Sequence, residues 1–326
     1  MNSIVKTQGL VKRYGGILAV DRVDLEVFEG EIFGLLGPNG AGKTTTIRML
    51  TGQTKPTSGT ATVANYDILR ESTKAKQQIG VVPDVSNIYE EMSAWDNLIF
   101  AGQLYGVSKI DQEKRAKELL ELFGLYERRK DHVATFSRGM KRRLTIAAAL
   151  IHKPKLLFLD EPTSGLDVQS LRMIRSLMEE LNDGGVTVFL TTHYIEEADQ
   201  LCQRVAIINK GKIVAVDNPE KLKASIKERQ VIEISFASSS SRNLENKLRS
   251  LSCVSDVSRL GDKCRLIVED ASEAIPSLVD FAQKNSLKIV SLNTLKPSLE
   301  DAFVKLTGLS SELMTADKEP VKKKEE

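Results

Sequence analysis

What this chain has little of narrows it first. Its 326 residues include three cysteines, three histidines and a single tryptophan. Cys202, Cys253 and Cys264 are odd in number and lack metal-ligand spacing, which predicts buried thiols in a reducing cytoplasm and excludes a disulfide or zinc scaffold. Long apolar runs are missing too. Candidates such as Leu156 to Leu159 are strand-sized, far short of the roughly 18 apolar residues of a spanning helix, so the chain is not expected to cross a membrane by itself. Met1 to Lys6 offers neither the apolar core nor the cleavage site of a signal peptide. Nor does one charge sign dominate: 46 basic and 44 acidic residues give a net charge of +2, which leaves no general footprint for nucleic acid. The composition, 41% hydrophobic and 28% charged, is that of a globular protein long enough for about two domains.

What is present begins with Gly37-Pro38-Asn39-Gly40-Ala41-Gly42-Lys43-Thr44-Thr45, the pattern G-x-x-x-x-G-K-T. It follows the apolar run Ile32 to Leu36 and opens the run Thr46 to Leu50, so a buried strand delivers the chain to a loop and then a helix. Glycines that take left-handed angles let successive N–H groups turn inward on a phosphate, and the helix N-terminus adds its dipole to the same anion. Lys43 has the reach and charge for the β- and γ-phosphates, and the Thr44 hydroxyl is placed to ligate Mg²⁺. A Gly-rich turn that happens to contain Lys is the bland alternative.

Upstream, short alternating runs between Ile4 and Glu31 predict a small antiparallel sheet. Tyr14 within it can stack on an adenine or simply be a half-buried strand tyrosine. Downstream, Ile79 to Pro83 predicts a buried strand with Asp84 at its exit, and Ser93 to Leu125 turns helical, an inserted lobe. Phe136-Ser137-Arg138-Gly139-Met140 supplies a hydroxyl and bare N–H groups at a helix start, a second anion-binding geometry, although in isolation it is only an N-capped helix. Lys141, Arg142 and Arg143 after it read as a solvated helix face.

Leu156 to Leu159 predicts a strand buried on both faces, with Asp160 and Glu161 emerging at its carboxyl end, where parallel sheets place their ligand sites. Side chains alternate on an extended chain, so the two carboxylates can hold different jobs. Asp160 suits the Mg²⁺ shell, and Glu161 suits polarising a water for in-line attack on the γ-phosphate. Val186 to Leu190 predicts another strand that aims His193 at the same sheet edge, whereas His132 and His152 fall in polar loops and read as solvated.

The phosphate loop, the Phe136 to Met140 turn, Leu156 to Glu161, Ser164-Gly165-Leu166-Asp167 and His193, in this order and spacing, resemble the ATPase domain of ABC transporters across about residues 3 to 220. That resemblance implies a P-loop NTPase fold with a mixed α/β core, an antiparallel β subdomain and an inserted helical subdomain at about 90–150. It implies a homodimer closing head to tail around two ATP, in which Gly37 to Thr45 of one chain and Ser137 and Gly139 of the other hold each nucleotide, with Asp167 at the seam. It also makes Tyr14 an adenine platform, Glu161 the general base and His193 the γ-phosphate sensor, with Lys43 completing the catalytic set and Thr44, Asp160 and Asp84 the metal set. Two positions depart from the family pattern: Asp84 stands where Gln is usual, and Arg138 replaces one signature glycine. The form S-x-G-M followed by Lys-Arg-Arg is similar to drug-resistance (daunorubicin-type) exporters, whose ATPase is a separate polypeptide from its permease.

Past Asn218 the composition changes. Leu222 to Glu228 reads as a charged helical connector (221–230 as linker), and 231–308 as a small α+β domain. Val231 to Phe236, a helix capped within Ser238 to Ser241, the hairpin strands Val254 to Arg259 and Cys264 to Val268, a helix Ser272 to Asn285 and a strand Leu287 to Leu292 spell β-α-β-β-α-β, the ferredoxin-like order. Pro297 to Phe303 resembles the ending of many such exporter ATPases. Lys318 to Glu326 mixes Lys and Glu with only Val321 as an apolar side chain beside Pro320, and 309–326 is expected to be a disordered tail. The expected protein is an ATP- and Mg²⁺-dependent ATPase on the cytoplasmic face of the membrane, held there by a separate permease, with no nucleic-acid partner. A soluble ABC ATPase acting on DNA or the ribosome, and a nucleotide-binding regulator that does not hydrolyse, are the rivals.

Overall fold

The computed structural model of the chain describes residues 2–225, 230–237, 244–295 and 298–309. The expected cap at 238–241, Pro297, the linker residues 226–229 and the tail 310–326 lie outside them. The chain divides into two compact units, Met1–Pro219 with Leu306–Glu326, and Glu220–Lys305.

The first unit is built on a six-stranded sheet whose order is Lys212–Asp217, Arg204–Asn209, Ile32–Leu36, Thr187–Thr192, Leu156–Asp160 and Ile79–Val82. All neighbours are parallel except the outer pair formed by Arg204–Asn209 and Lys212–Asp217. The three central strands are buried from end to end, because helices cover both faces of a parallel sheet and each face must then be apolar. Phe33, Phe158 and Phe189 meet across neighbouring strands at centroid distances of 5.5 and 5.2 Å and close the core beneath the loops. Parallel pairing has a positional consequence. Leu36 sits opposite Thr192, Asp160 opposite Thr191 and Leu159 opposite Val82, so the loops after four strands emerge in one row.

A second, antiparallel sheet packs Ser3–Tyr14 between Ile17–Val23 and Ser58–Val63, with Glu26–Phe28 and Tyr66–Asp67 at its margins. The inserted lobe comprises the helices Ala94–Leu104 and Lys109–Leu122, packed with Arg138–Ala149. Among the described residues no helix is long and apolar enough to cross a membrane.

The second unit is an antiparallel sheet in the order Val254–Leu260, Lys263–Val268, Gln230–Phe236, Ile289–Leu295, with helices Leu244–Arg249 and Ala271–Lys284 in the β-α-β-β-α-β sequence. Ile232, Ile234 and Phe236 enter the core by strict alternation, and Glu233 between them pairs outward with Arg265 at 2.9 Å. Two boundaries differ from expectation. The helix near the unit boundary is Pro219–Ala224, earlier than Leu222 to Glu228. The last strand starts at Ile289, because Ser286 takes a left-handed φ of 54° and the Leu287 N–H returns to Ala282 O, extending the helix cap over the start of the expected strand.

Candidate active site

The loop Gly37 to Gly42 rises from the central strand and turns directly into the helix Lys43–Leu50. Two of its glycines are required by space. A Cβ on Gly37 would lie 2.3 Å from Ile208 O, and Gly42, at φ 108°, would meet Ala19 O at 2.6 Å. Gly40 is open but takes φ 81°. The loop's amides are not all available to a ligand: Gly37 N–H donates to Thr192 O and Ala41 N–H to Pro38 O, so these two residues shape the loop from behind.

In front of it lies a cleft of about 740 Å³ lined by Tyr14, Ala19, Pro38, Asn39, Gly40, Gly42, Lys43, Thr44, Thr45, Asp84 and Glu161. Three loops of the row therefore meet there. Thr44 Oγ1 donates to Asp160 Oδ1 at 3.2 Å, and Thr191 Oγ1 donates to the same oxygen at 2.6 Å. Lys43 Nζ donates to Gly37 O and Pro38 O and stands 3.0 Å from Glu161 Oε1. That last contact is an ion pair, and Lys43 is the one charged neighbour of the buried Oε1 that the structure gives. Glu161 Oε2 is paired with His193 Nδ1 at 2.8 Å. Burial pushes the Glu161 pKa up, but the His193 hydrogen bond and the Lys43 charge outweigh it and hold the carboxyl below its ordinary value. Asp84 moves the other way: desolvation and the Asp160 charge raise its pKa, opposed by Arg142.

Glu161 is not on an extended chain, as alternation along the strand suggests. Its φ is 48°, left-handed, and both its amide contacts go to Thr191: O at 3.2 Å and Oγ1 at 3.1 Å. The turn, not strand alternation, separates its side chain from that of Asp160. Tyr14 ends its strand 45% exposed at the cleft, with Lys12 Nζ 4.9 Å from its ring centroid.

Ser137, Gly139 and Asp167 do not line this cleft. Ser137 caps the helix Arg138–Ala149 by accepting Met140 N–H at 3.2 Å, and Asp167 caps Val168–Asp183 by accepting Ser170 N–H at 2.8 Å. The two caps touch through Ser170, which also explains Gly139: a Cβ there would be 2.2 Å from Ser170 Oγ.

Two expectations are corrected. Arg142 and Arg143 are not a solvated face: Arg142 is buried among backbone carbonyls, and Arg143 donates to Phe123 O at 2.6 Å. His152 is not a solvated loop histidine either. It stacks on Tyr105 at 3.6 Å, shares a hydrogen bond with Ile79 O, and burial lowers its pKa. Thr191 and Arg142 are the residues that sequence reasoning missed. Thr191 had a signal, its place at a strand end beside Asp160, whereas a run of three cations gives no sign of which one is buried.

The sequence profile described as "ABC transporter" matches residues 20–164, and that of the "ATP-binding protein DrrA1-3-like, C-terminal domain" matches 218–307. The chain is 40% identical to the linearmycin resistance ATP-binding protein LnrL of Bacillus subtilis, covering 94% of this chain and 98% of that one. It is 38% identical to the daunorubicin/doxorubicin resistance ATP-binding protein DrrA of Streptomyces peucetius, over 93% and 92%. Among solved structures it is similar to the ATP-binding cassette MJ0796 in a dimeric post-hydrolysis state bound to ADP and Pi, with a TM-score of 0.60, 29% identity, and coverage of 66% of this chain and 98% of that one.

Proposed function

This chain belongs to the ATP-binding subunits of ABC transporters, ATPases that work with a membrane permease, and on that premise we propose that it is the ATPase of an exporter, acting as a homodimer closed head to tail around two ATP. The observation that carries the catalytic part is the division of labour at Glu161. One oxygen is tied to His193, while the other is buried at the cleft and has the Lys43 ammonium 3.0 Å away, the same ammonium that a γ-phosphate would draw off. A carboxylate held ionised and fixed by one oxygen is suited to take a proton from an attacking water with the other.

In this reading Tyr14 stacks on the adenine, Gly40, Gly42 and Thr45 cradle the phosphates, and Lys43 meets the β- and γ-phosphates. His193 aligns Glu161 and reports the γ-phosphate. Thr44 and Asp160, whose oxygens already converge, are the residues that would hold Mg²⁺, with Asp84 facing them. When bound, that cation neutralises phosphate charge. Ser137, Gly139 and Asp167, outside their own cleft, serve the partner copy's nucleotide; the dimeric state of MJ0796 supports dimerisation.

Export is supported by the resistance functions in the relatives' names. Support for a docking place for the permease comes from a groove of about 480 Å³, lined by Gln53, Thr73, Lys76 and Gln77 as well as by Val81, Pro83, Leu104 and Tyr105, that begins one residue from Asp84. In this reading the permease holds the subunit at the cytoplasmic face of the membrane.

Light scattering of the Glu161→Gln chain with and without Mg·ATP tests the reading, beside phosphate release by the unaltered protein. The variant keeps the cradle and loses the base, so ATP is expected to double its mass while hydrolysis stops. A chain that stays monomeric with ATP bound argues against head-to-tail closure, and undiminished phosphate release argues against Glu161 as the base.

A further inference from the structure

The helix that begins at the Ser137 cap carries a buried cation, and its partners are all main-chain carbonyls. Arg142 is 6% exposed. Its Nε donates to Pro162 O at 2.9 Å, Nη2 to Asp160 O at 2.7 Å and Glu161 O at 2.8 Å, and Nη1 to Pro83 O and Asp84 O, the latter at 3.3 Å. A guanidinium has five N–H donors in a rigid plane, and here five carbonyls from two loops meet them. These loops bear Asp84, Asp160 and Glu161. Burial pulls the Arg142 pKa down, while the charges of Asp84, Asp160, Glu161 and Glu197 pull it back up.

A second observation shows what this network acts on. Glu161 has a left-handed φ of 48°, a conformation side-chain-bearing residues rarely adopt, and it precedes Pro162, a position that favours extended backbone. Such a conformation persists only where the surroundings dictate it. The Glu161 amide is held by Thr191 Oγ1 and Thr191 O, and its carbonyl, together with those of Asp160 and Pro162, is held by Arg142.

We propose that Arg142 is a positioning residue for hydrolysis, fixing the strained Glu161 turn so that the carboxylate meets the attacking water, and joining that turn to the helix that starts at Ser137. This rests on the reading of Glu161 as the base. Arg142 does not itself line the cleft and reaches its lining residues Asp84 and Glu161 only through their main-chain carbonyls, so its loss is felt in the rate of the chemical step and not in nucleotide affinity. A purely structural arginine behaves differently: removing it lowers stability and folded fraction, and every activity falls in proportion.

The experiment uses the full chain as wild type, Arg142→Lys, Arg142→Gln and, as a control on the same helix, Arg143→Gln, which loses only the bond to Phe123 O. ATP affinity is measured by calorimetry in EDTA, kcat and KM by phosphate release, and folding by thermal denaturation. Arg142→Lys keeps the charge but can serve only three acceptors, so kcat is expected to fall on the order of 10²-fold with ATP affinity within about twofold of wild type. Arg143→Gln is expected to lower the melting temperature and leave kcat intact. If Arg142→Gln does not fold, Arg142→Lys decides. A wild-type kcat in Arg142→Lys overturns the proposal, as does a loss shared equally between kcat and affinity and matched by Arg143→Gln. These outcomes are separable from failure of the underlying reading, in which the wild type releases no phosphate or Glu161→Gln releases it undiminished.

Discussion

Lys43 is 5% exposed and has two kinds of neighbour, the carbonyls of Gly37 and Pro38 and the carboxylate of Glu161. A buried ammonium is stable only while such partners compensate its lost hydration. The same reach that satisfies those carbonyls allows it to meet a triphosphate entering the cleft. Lys43→Ala is therefore expected to weaken ATP binding itself, by at least about tenfold for the loss of one charged contact. Calorimetric titration in the presence of Mg²⁺ reads this directly, and unchanged affinity would mean that the phosphate loop has been misassigned. These residues were legible in the sequence because the geometry is local: Gly37 to Thr45 is one loop and the first turn of the helix it enters, and the spacing specifies the shape. Arg142 was not legible, since its burial arises where Pro83, Asp160 and Pro162 converge from segments about 20 to 60 positions away. The strain at Glu161 was hidden for a similar reason, as the groups that hold that conformation, Thr191 and Arg142, lie on other elements.

Among elements, the inserted lobe shows how much local chemistry decides. Its helices Ala94–Leu104 and Lys109–Leu122 each start with Ser-x-x-Asp, in which Ser93 accepts Asp96 N–H at 3.0 Å and donates to its carboxylate, and Ser108 does the same with Asp111. Such a cap satisfies an amide the helix cannot. Ser93→Ala is thus expected to cost about 1 kcal/mol, lowering the melting temperature of a unit this size by roughly 2–4 °C while leaving kcat per folded molecule unchanged. Denaturation followed by ATPase assay of the same sample checks both halves, and a fall in kcat would place the cap in the coupling path instead. The start of this lobe at Ser93 was readable from the apolar spacing that follows it. The last strand's start was misplaced because Ser286, with no sequence mark of a left-handed residue, prolongs the preceding cap through Leu287.

For the whole molecule, the division into two units has a thermodynamic consequence. Val5, Phe33, Phe158 and Phe189 belong to one core, and Ile232, Leu248, Leu266 and Leu278 to another. The residues lining the nucleotide cleft all lie in the first unit. A ligand that binds only the folded form stabilises it by RT ln(1 + [L]/Kd), about 2.7 kcal/mol at a hundredfold excess over Kd. For a unit of this size that amounts to an upward shift of roughly 5–10 °C. Scanning calorimetry of the Glu161→Gln chain, in which ATP is not consumed, is therefore expected to show two transitions, of which Mg·ATP moves one. With the proposed closure of two chains, the shift should also grow with protein concentration, which binding to a monomer cannot produce. Independence is what separate cores imply: unfolding either unit exposes its own apolar interior and leaves the other's intact. A single transition moved as a whole by ATP would mean that the second unit is energetically part of the engine, and the substitutions to make next would then lie in residues 230–295 and not in the cleft.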